Sequence, residues 1–342
     1  MPLQRWSEFL LAPAGERGRG PLNPSRKSAD SHPVLPCPDR RPQRPRAVIE
    51  VHQVSASSTP STPSPGVSGY RVERGDQPAP VVAFANQKGG VGKTTSAVNT
   101  AVALSLRGYR VLLLDLDPQG NATSSLGVDK STVNLSTYDL LVDRLPIERA
   151  TLPGVRTRLD LVPSVPMLAG AEVELVAASQ RERRLESALS PILDRYDIVL
   201  IDCPPSLGLL TVNALTAARS VVVPIQCEFL ALEGLGQLIT TIDLVKQSLN
   251  PSLDIVGVLM TMYDARTRLS THVVDEVRRY FPHRIFASIV PRSVRLAEAP
   301  SFGQAIIEYD AASRGAEAYD QFATELLERL RMPAPASQGG PS

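Results

Sequence analysis

The stretch from Lys88 to Thr95 has the residue types that bind phosphate groups. It reads Lys-Gly-Gly-Val-Gly-Lys-Thr-Thr and stands between a short apolar run and a segment with helical periodicity. Glycines allow backbone N–H groups to turn toward phosphate oxygens, and the N-terminus of a following helix adds partial positive charge. We therefore expect Lys93 to contact the β and γ phosphates of ATP, and the Thr94 hydroxyl to ligate Mg²⁺.

This loop is a variant of the usual phosphate-binding pattern. The strict pattern G-x-x-x-x-G-K-[ST] requires glycine at position 87, where this chain has Gln87, and a second lysine, Lys88, precedes the paired glycines. A purely structural glycine turn would not explain a lysine and two threonines directly after it. The predicted phosphate-binding residues are Gly89, Gly90, Val91, Gly92, Lys93, Thr94 and Thr95.

Aspartates end two other apolar runs. Asp115 and Asp117 lie in Asp-Leu-Asp-Pro-Gln-Gly-Asn, and Asp202 opens Asp-Cys-Pro-Pro. Carboxylates at the C-terminal ends of parallel strands face the crevice where open α/β sheets bind ligands. We predict that Asp202 holds Mg²⁺ through a water, that Asp117 orients the attacking water, and that Asp115 supports the loop and the metal shell. Each acid alone is as well explained as a helix cap, and the division of roles between Asp115 and Asp117 stays open.

The elements that must position these residues begin at Val81. Short apolar runs alternate with longer helical patterns, which predicts a doubly wound, mostly parallel α/β sheet with helices on both faces, as in P-loop NTPases. The predicted strands are Val81–Ala85, Val111–Asp115, Leu159–Pro163, Ile198–Asp202, Val221–Ile225, Ile255–Thr261 and Ile285–Ile289. The clearest predicted helices are Lys93–Arg107, Leu232–Leu249, Ser270–Phe281 and Ser313–Arg331.

This predicted domain covers residues 79–331 and is flanked by segments of different composition. Residues 1–78 are rich in proline, serine and arginine, and residues 332–342 consist mainly of proline, glycine, serine and alanine. Sparse apolar residues cannot repay the entropy of ordering, so both segments are predicted to be disordered tails. The basic cluster from Arg40 to Arg46 could contact nucleic acid or be merely solvated, and a misassigned start codon is a further alternative.

Composition excludes several other classes of protein. The 36 basic and 35 acidic residues give a net charge of +1, which indicates no general affinity for nucleic acid or membranes. Three cysteines and four histidines are too scattered for a disulfide framework or a transition-metal site. No apolar stretch reaches the roughly 18 residues that a membrane-spanning helix needs, so we predict a cytoplasmic protein without a membrane partner.

The three motifs together resemble the ParA/Soj family of chromosome- and plasmid-partitioning ATPases. The likeness continues through Leu232–Leu235, Thr261–Thr267 and Pro291–Ser301, and covers about residues 80 to 330. The variant loop alone, a deviant Walker A motif, indicates only a wider class that includes MinD, arsenical-pump and nitrogenase iron proteins. The later motifs narrow the resemblance to ParA/Soj.

The resemblance implies a weak ATPase that forms an ATP-dependent homodimer, with Lys88 reaching the partner's phosphates. It places adenine near Met262, Pro291, Arg292 and Ser293, although the family pattern has asparagine where Ser293 stands. It further implies nucleoid association through non-specific DNA binding by Arg266 and Arg295. A ParB-type centromere-binding partner, docking through a basic N-terminal segment, would stimulate hydrolysis.

Three other interpretations of the same ATP site stay open. A MinD-like regulator of the division site needs a C-terminal amphipathic helix with a basic face, whereas the last predicted helix contains Asp320, Glu325 and Glu328. An iron–sulfur enzyme needs placed cysteine ligands, and Cys203 and Cys227 are better explained as small apolar residues. An ATP-dependent ligase would need its own substrate pocket, which no segment indicates.

Overall fold

The computed structural model describes residues 78–228 and 234–335. At its centre is an eight-stranded sheet in the order β3-β4-β2-β5-β1-β6-β7-β8. The strands are β1 Val81–Phe84, β2 Val111–Asp115, β3 Leu152–Arg156, β4 Leu159–Val162, β5 Ile198–Asp202, β6 Ser220–Gln226, β7 Asp254–Tyr263 and β8 Ile285–Pro291. Every neighbouring pair is parallel except β3 with β4. The predicted fold class is thereby confirmed, and the predicted tails lie outside the described residues apart from their innermost positions.

Helices cover both faces of this sheet. They are α1 Lys93–Leu106, α2 Asn121–Ser125, α3 Thr137–Leu141, α4 Ile147–Ala150, α5 Leu168–Glu174, α6 Arg184–Leu189, α7 Leu209–Ala217, α8 Leu235–Ser248, α9 Arg268–Tyr280, α10 Val294–Glu298, α11 Ile306–Tyr309 and α12 Arg314–Arg329. Side chains alternate along β1: Val82 and Phe84 join the core under α1 and α12, while Val81 and Ala83 join the core under α7 and α8. The sequences of the central strands are therefore continuous apolar runs, because both faces of these strands are buried.

The sequence did not predict the strand β3. Its residues include Pro153 and Gly154, and much of the strand is exposed to solvent. Proline and glycine weaken a strand, but an edge position tolerates both because one side needs no partner. The antiparallel pairing of β3 with β4 also departs from the otherwise parallel sheet.

Helix α12 covers the opposite edge of the sheet. The Glu325 carboxylate accepts hydrogen bonds from the backbone N–H groups of Ala287 at 2.9 Å and Ser288 at 3.1 Å. Arg329 donates to the carbonyl of Ile285 at 2.6 Å. These contacts satisfy outward backbone groups of β8, which would otherwise present a free edge for pairing with another chain.

Candidate nucleotide-binding site and exposed arginines

The glycine loop connects β1 to α1 and wraps around a buried lysine. Gly90 and Gly92 have φ of 74° and 89°, in the left-handed region where glycine is favoured. Lys93 is only 6% exposed, and its Nζ donates to the carbonyl of Lys88 at 3.2 Å. Burial lowers the pKa of Lys93, while the nearby Asp202 carboxylate opposes this shift. The loop thus holds a buried amine where the sequence predicts phosphate groups.

Two polar side chains attach this loop to the rest of the sheet. Asn86 donates to the carbonyl of Pro224 in β6 at 2.7 Å and accepts from the N–H of Lys88 at 3.0 Å. Thr261 in β7 donates to the carbonyl of Val91 at 2.8 Å. Neither residue was predicted as part of the site, although each is a polar residue at the end of an apolar strand. Their hydrogen bonds fix the loop from two strands at once.

Asp202 ends β5 opposite Phe84 and is fully buried. Neither of its carboxylate oxygens has a hydrogen-bond partner. Burial, and to a lesser extent the charge of Asp115, raises the pKa of Asp202 well above its ordinary value. The nearby Thr94 hydroxyl lowers this pKa, although it does not lie in ordinary hydrogen-bond geometry. A buried carboxylate without donors is costly unless a cation pairs with it. Asp202 and Thr94 therefore fit a Mg²⁺ site.

Asp115 is paired with Asp202 in the β2–β5 register but has a different environment. Its Oδ2 accepts from the N–H of Thr123 at 2.8 Å and from the Thr123 hydroxyl at 2.7 Å. Its Oδ1 accepts from the N–H of Asp117 at 3.2 Å. Burial raises the pKa of Asp115 to about 6. The two Asp115 oxygens thus anchor the turn after β2 and the helix α2. Thr123 is a further site residue that was not predicted from the sequence.

Asp117 lies in a tight turn after β2. It is 6% exposed, and its Oδ1 accepts from the N–H of Gln119 at 2.9 Å. Its carbonyl accepts from the N–H of Gly120 at 2.8 Å and from the Ser164 hydroxyl at 2.7 Å. A Cβ at Gly120, whose φ is 60°, would lie 2.7 Å from the carbonyl oxygen of Ser164, so only glycine fits this turn. The turn places Asp117 near enough to Lys93 for their charges to interact.

The residues predicted to lie near adenine meet at the C-terminal ends of β7 and β8. Tyr263 is paired with Pro291 in the parallel register, and the N–H of Arg292 donates to the carbonyl of Tyr263 at 2.9 Å. Met262 has a φ of 52°, which is uncommon for a residue other than glycine. Ser293 precedes α10 as its N-cap residue. The structure therefore brings these residues to the C-terminal ends of the parallel strands, where the glycine loop also lies.

Several known proteins are similar to this chain in sequence. A family model described as an AAA domain matches residues 79–255. The sporulation initiation inhibitor protein Soj of Bacillus subtilis is 53% identical over 246 residues, which are 72% of this chain and 97% of Soj. The chromosome partitioning protein ParA of Myxococcus xanthus is 52% identical over 73% of this chain and 88% of its own. The chain belongs to the Soj/ParA family.

A solved structure extends the comparison to the bound nucleotide. Cobyrinic acid a,c-diamide synthase from Mycobacterium smegmatis, solved with an ATP analogue and magnesium, is 41% identical to this Soj/ParA-family chain. The match has a TM-score of 0.66 and covers 75% of this chain and 99% of the synthase chain. The same fold thus occurs in a diamide synthase that binds an ATP analogue and magnesium.

The two arginines predicted to bind DNA are exposed, and each lies near carboxylates of its own chain. Arg266 is 86% exposed and donates from Nε and Nη2 to the two Asp264 oxygens at 2.9 and 2.8 Å. Arg295 is 58% exposed, with Glu298 at 3.6 Å and Asp310 at 3.7 Å. Both guanidinium groups therefore face solvent with part of their charge balanced.

Other arginines of the C-terminal third show the same pattern. Arg284 donates to Asp254 at 3.1 Å, and Arg278 lies 3.6 Å from Asp275. The positive charge of these arginines is thus reduced by neighbouring acids. Within residues 78–228 and 234–335, no helix is both long enough and apolar enough to cross a membrane.

Proposed function

We propose that this chain is an ATP-driven switch that partitions chromosomal or plasmid DNA, with residues 79–331 as its ATPase domain. The observation that carries the proposal is a buried Lys93 under the glycine loop, close enough to interact electrostatically with Asp202, a buried carboxylate without donors. Such a site is suited to Mg²⁺–ATP. The relatives that are chromosome partitioning proteins support the biological role.

We assign the site residues the roles that the sequence predicts for them. Backbone N–H groups of residues 89–95 and the Lys93 side chain bind the phosphates. Thr94 and Asp202 would hold Mg²⁺, which when bound supplies charge neutralisation of the β and γ phosphates. Asp117 orients the attacking water from its tight turn, and Asp115 keeps that turn in place through α2. Lys88 acts across an ATP-dependent homodimer, which makes dimerisation sensitive to the nucleotide.

DNA binding is assigned to Arg266 and Arg295 of both protomers. Their exposure supports this role, because backbone phosphates are contacted by solvent-facing guanidinium groups. A dimer that neutralises about six phosphates should lose roughly a thousandfold in affinity between 50 and 200 mM salt. A complex that is insensitive to salt would contradict this mechanism.

The test is DNA binding by the full chain with ADP, with ATP, and with ATP after Lys88→Ala or Arg266→Ala. We expect binding that requires ATP and is lost in both variants. Arg149→Ala is the matched control, because Arg149 is an exposed arginine on α4. Tight ATP binding without any DNA binding would keep the ATPase and reject the partition mechanism.

Stimulation by a ParB-type partner is a separate test of the same proposal. Intrinsic ATP turnover should be slow and should rise when the partner and centromere DNA are added together. An unchanged rate would argue against partition, whatever the DNA affinity.

An ATP-dependent amide ligase is the second candidate, because of the likeness to the diamide synthase. The higher identity to Soj favours the partition switch. ADP formation that depends on cobyrinic acid and an ammonia source would instead identify a ligase.

A further inference from the structure

Phe302 is an exposed aromatic side chain in the segment between α10 and α11. It is 64% exposed, although phenylalanine is among the residues most often buried in folded proteins. Its ring stacks on the ring of Tyr309, with centroids 5.1 Å apart and an interplanar angle of 24°. Since Tyr309 covers one face of the Phe302 ring, the exposed area lies mainly on the other face and at the ring edge. The chain thus presents a flat aromatic surface to solvent.

The backbone that carries this ring is held in place by its neighbours. Phe302 ends a short 3₁₀ helix, Ala299–Phe302, and the next residue, Gly303, has a φ of 65°. A Cβ at Gly303 would lie 2.7 Å from the Cα of Gly127, so only glycine allows this close packing. The Gly303 carbonyl also accepts a hydrogen bond from Arg156 at 2.6 Å. These contacts fix the position from which the Phe302 ring is exposed.

A buried asparagine attaches the helix of Tyr309 to the glycine loop. Asn99 of α1 is 6% exposed, and its Oδ1 accepts from the N–H of Ile306, the first residue of α11, at 2.7 Å. Its Nδ2 donates to the carbonyl of Thr95 at 2.7 Å. The stacked rings are therefore carried by the same frame as the nucleotide-binding loop.

Arg295 places a cation beside the two rings. Its guanidinium carbon lies 5.8 Å from the centroid of the Tyr309 ring, and its side chain is 58% exposed. The carboxylates of Glu298 and Asp310 lie 3.6 and 3.7 Å away, which is longer than a charge-assisted hydrogen bond. The guanidinium group can therefore still pair with a phosphate.

An aromatic face next to an exposed arginine matches the two parts of a nucleotide in a DNA strand. The base stacks on the ring, and the neighbouring phosphate pairs with the guanidinium group. Inside a duplex both faces of a base are covered by adjacent bases, whereas a base in a single strand can turn one face to the protein. The fixed Phe302 ring is thus suited to an unpaired base.

We propose that Phe302 is a stacking site for unpaired bases, through which this chain binds single-stranded DNA, with Arg295 on the adjacent phosphate. This inference rests on the proposed DNA binding and goes beyond it, because contacts to duplex phosphates need no aromatic ring. Every base has a π-face, so the site should accept any of the four bases.

The test is fluorescence anisotropy of the full chain with Mg²⁺ and ATP, using a labelled single strand of thymidines and a labelled duplex of the same length. Phe302→Ala should weaken binding of the single strand about tenfold and change duplex affinity by less than about twofold, because base stacking is lost and the phosphate contacts remain. Phe302→Tyr keeps an aromatic face and should retain single-strand binding. Leu244→Ala is the control, since Leu244 is a similarly exposed apolar side chain on α8.

A single strand with abasic sites gives a second readout with the unaltered chain. It keeps the phosphates but lacks the bases, so the wild-type chain should bind it about as weakly as Phe302→Ala binds the ordinary strand. Phe302→Ala should bind both strands equally.

Unchanged single-strand binding in Phe302→Ala would overturn the proposal. Equal weakening of single-strand and duplex binding would overturn it too, since the ring would then support the DNA surface as a whole or a contact between protein chains. Failure of the wild-type chain to bind duplex DNA with ATP would instead reject the proposed function on which this inference rests.

Discussion

Replacing Asp264 with asparagine should strengthen DNA binding, because Asp264 neutralises the exposed Arg266. Asparagine keeps an oxygen for the N–H of Arg266, which donates to Asp264 at 3.0 Å, so the local turn should survive. The variant frees one positive charge in each protomer, or two in a dimer. Each phosphate neutralised adds about 0.9 to the slope of log affinity against log salt, so the slope should steepen by about 1.8. Between 50 and 200 mM salt, the variant should lose about twelvefold more affinity than the wild-type chain.

The assay is fluorescence anisotropy of labelled duplex DNA with ATP at both salt concentrations. Hydrogen bonds from Arg266 lower the pKa of Asp264 to about 2. A lowered pKa means that the pairing is complete above the ordinary aspartate pKa and is lost only as the pH falls toward 2, so the effect should be constant between pH 6 and 8. Glu148→Gln is the control, because it breaks an exposed pair with Arg195. An unchanged affinity and slope in Asp264→Asn would refute the assignment of Arg266 to DNA.

Three further predictions concern stability, each measured by urea unfolding without nucleotide. Asp202→Asn should stabilise the protein by roughly 1–3 kcal/mol while abolishing ATP turnover, because it removes a buried charge that accepts no hydrogen bonds. Asp115→Asn should destabilise the protein by a similar amount, because Asp115 does accept hydrogen bonds. Glu325→Ala should cost about 1–3 kcal/mol by leaving two N–H groups of β8 unpaired, with Glu317→Ala as a near-neutral control. Gly120→Ala should also destabilise the protein, because the alanine Cβ would lie 2.7 Å from the carbonyl oxygen of Ser164. A variant as stable as the wild-type chain would show that the turn can rearrange.

The central strands were the most predictable part of the fold. The predicted and observed bounds agree for β2 and β5, because strands buried on both faces are continuous apolar runs that end at an aspartate. Helix α9 begins two residues before its predicted start, since Thr267 caps it by accepting from the N–H of Ser270. Its polar first turn has no apolar periodicity and therefore resembles a loop in the sequence.

The sequence placed the candidate site at the glycine loop and predicted roles for its aspartates, but it could not show which carboxylates accept hydrogen bonds. Asp115 and Asp202 look alike there, since each ends an apolar strand. The structure separates them, because Thr123 donates twice to Asp115 and no group donates to Asp202. That difference depends on the path of the chain after β2, which no local pattern encodes.

The sequence by itself determined seven of the eight strands that the structure describes, the glycine loop and the strand-end aspartates, because these depend on local periodicity and on residue types at fixed spacing. Only the tertiary structure decided which polar groups find partners. Thr261 reaches Val91 from 170 residues away, and Glu172 meets Gly208 between two helices that are separate in the chain. Such contacts depend on how the elements pack, and the balance of satisfied and unsatisfied charges follows from that packing.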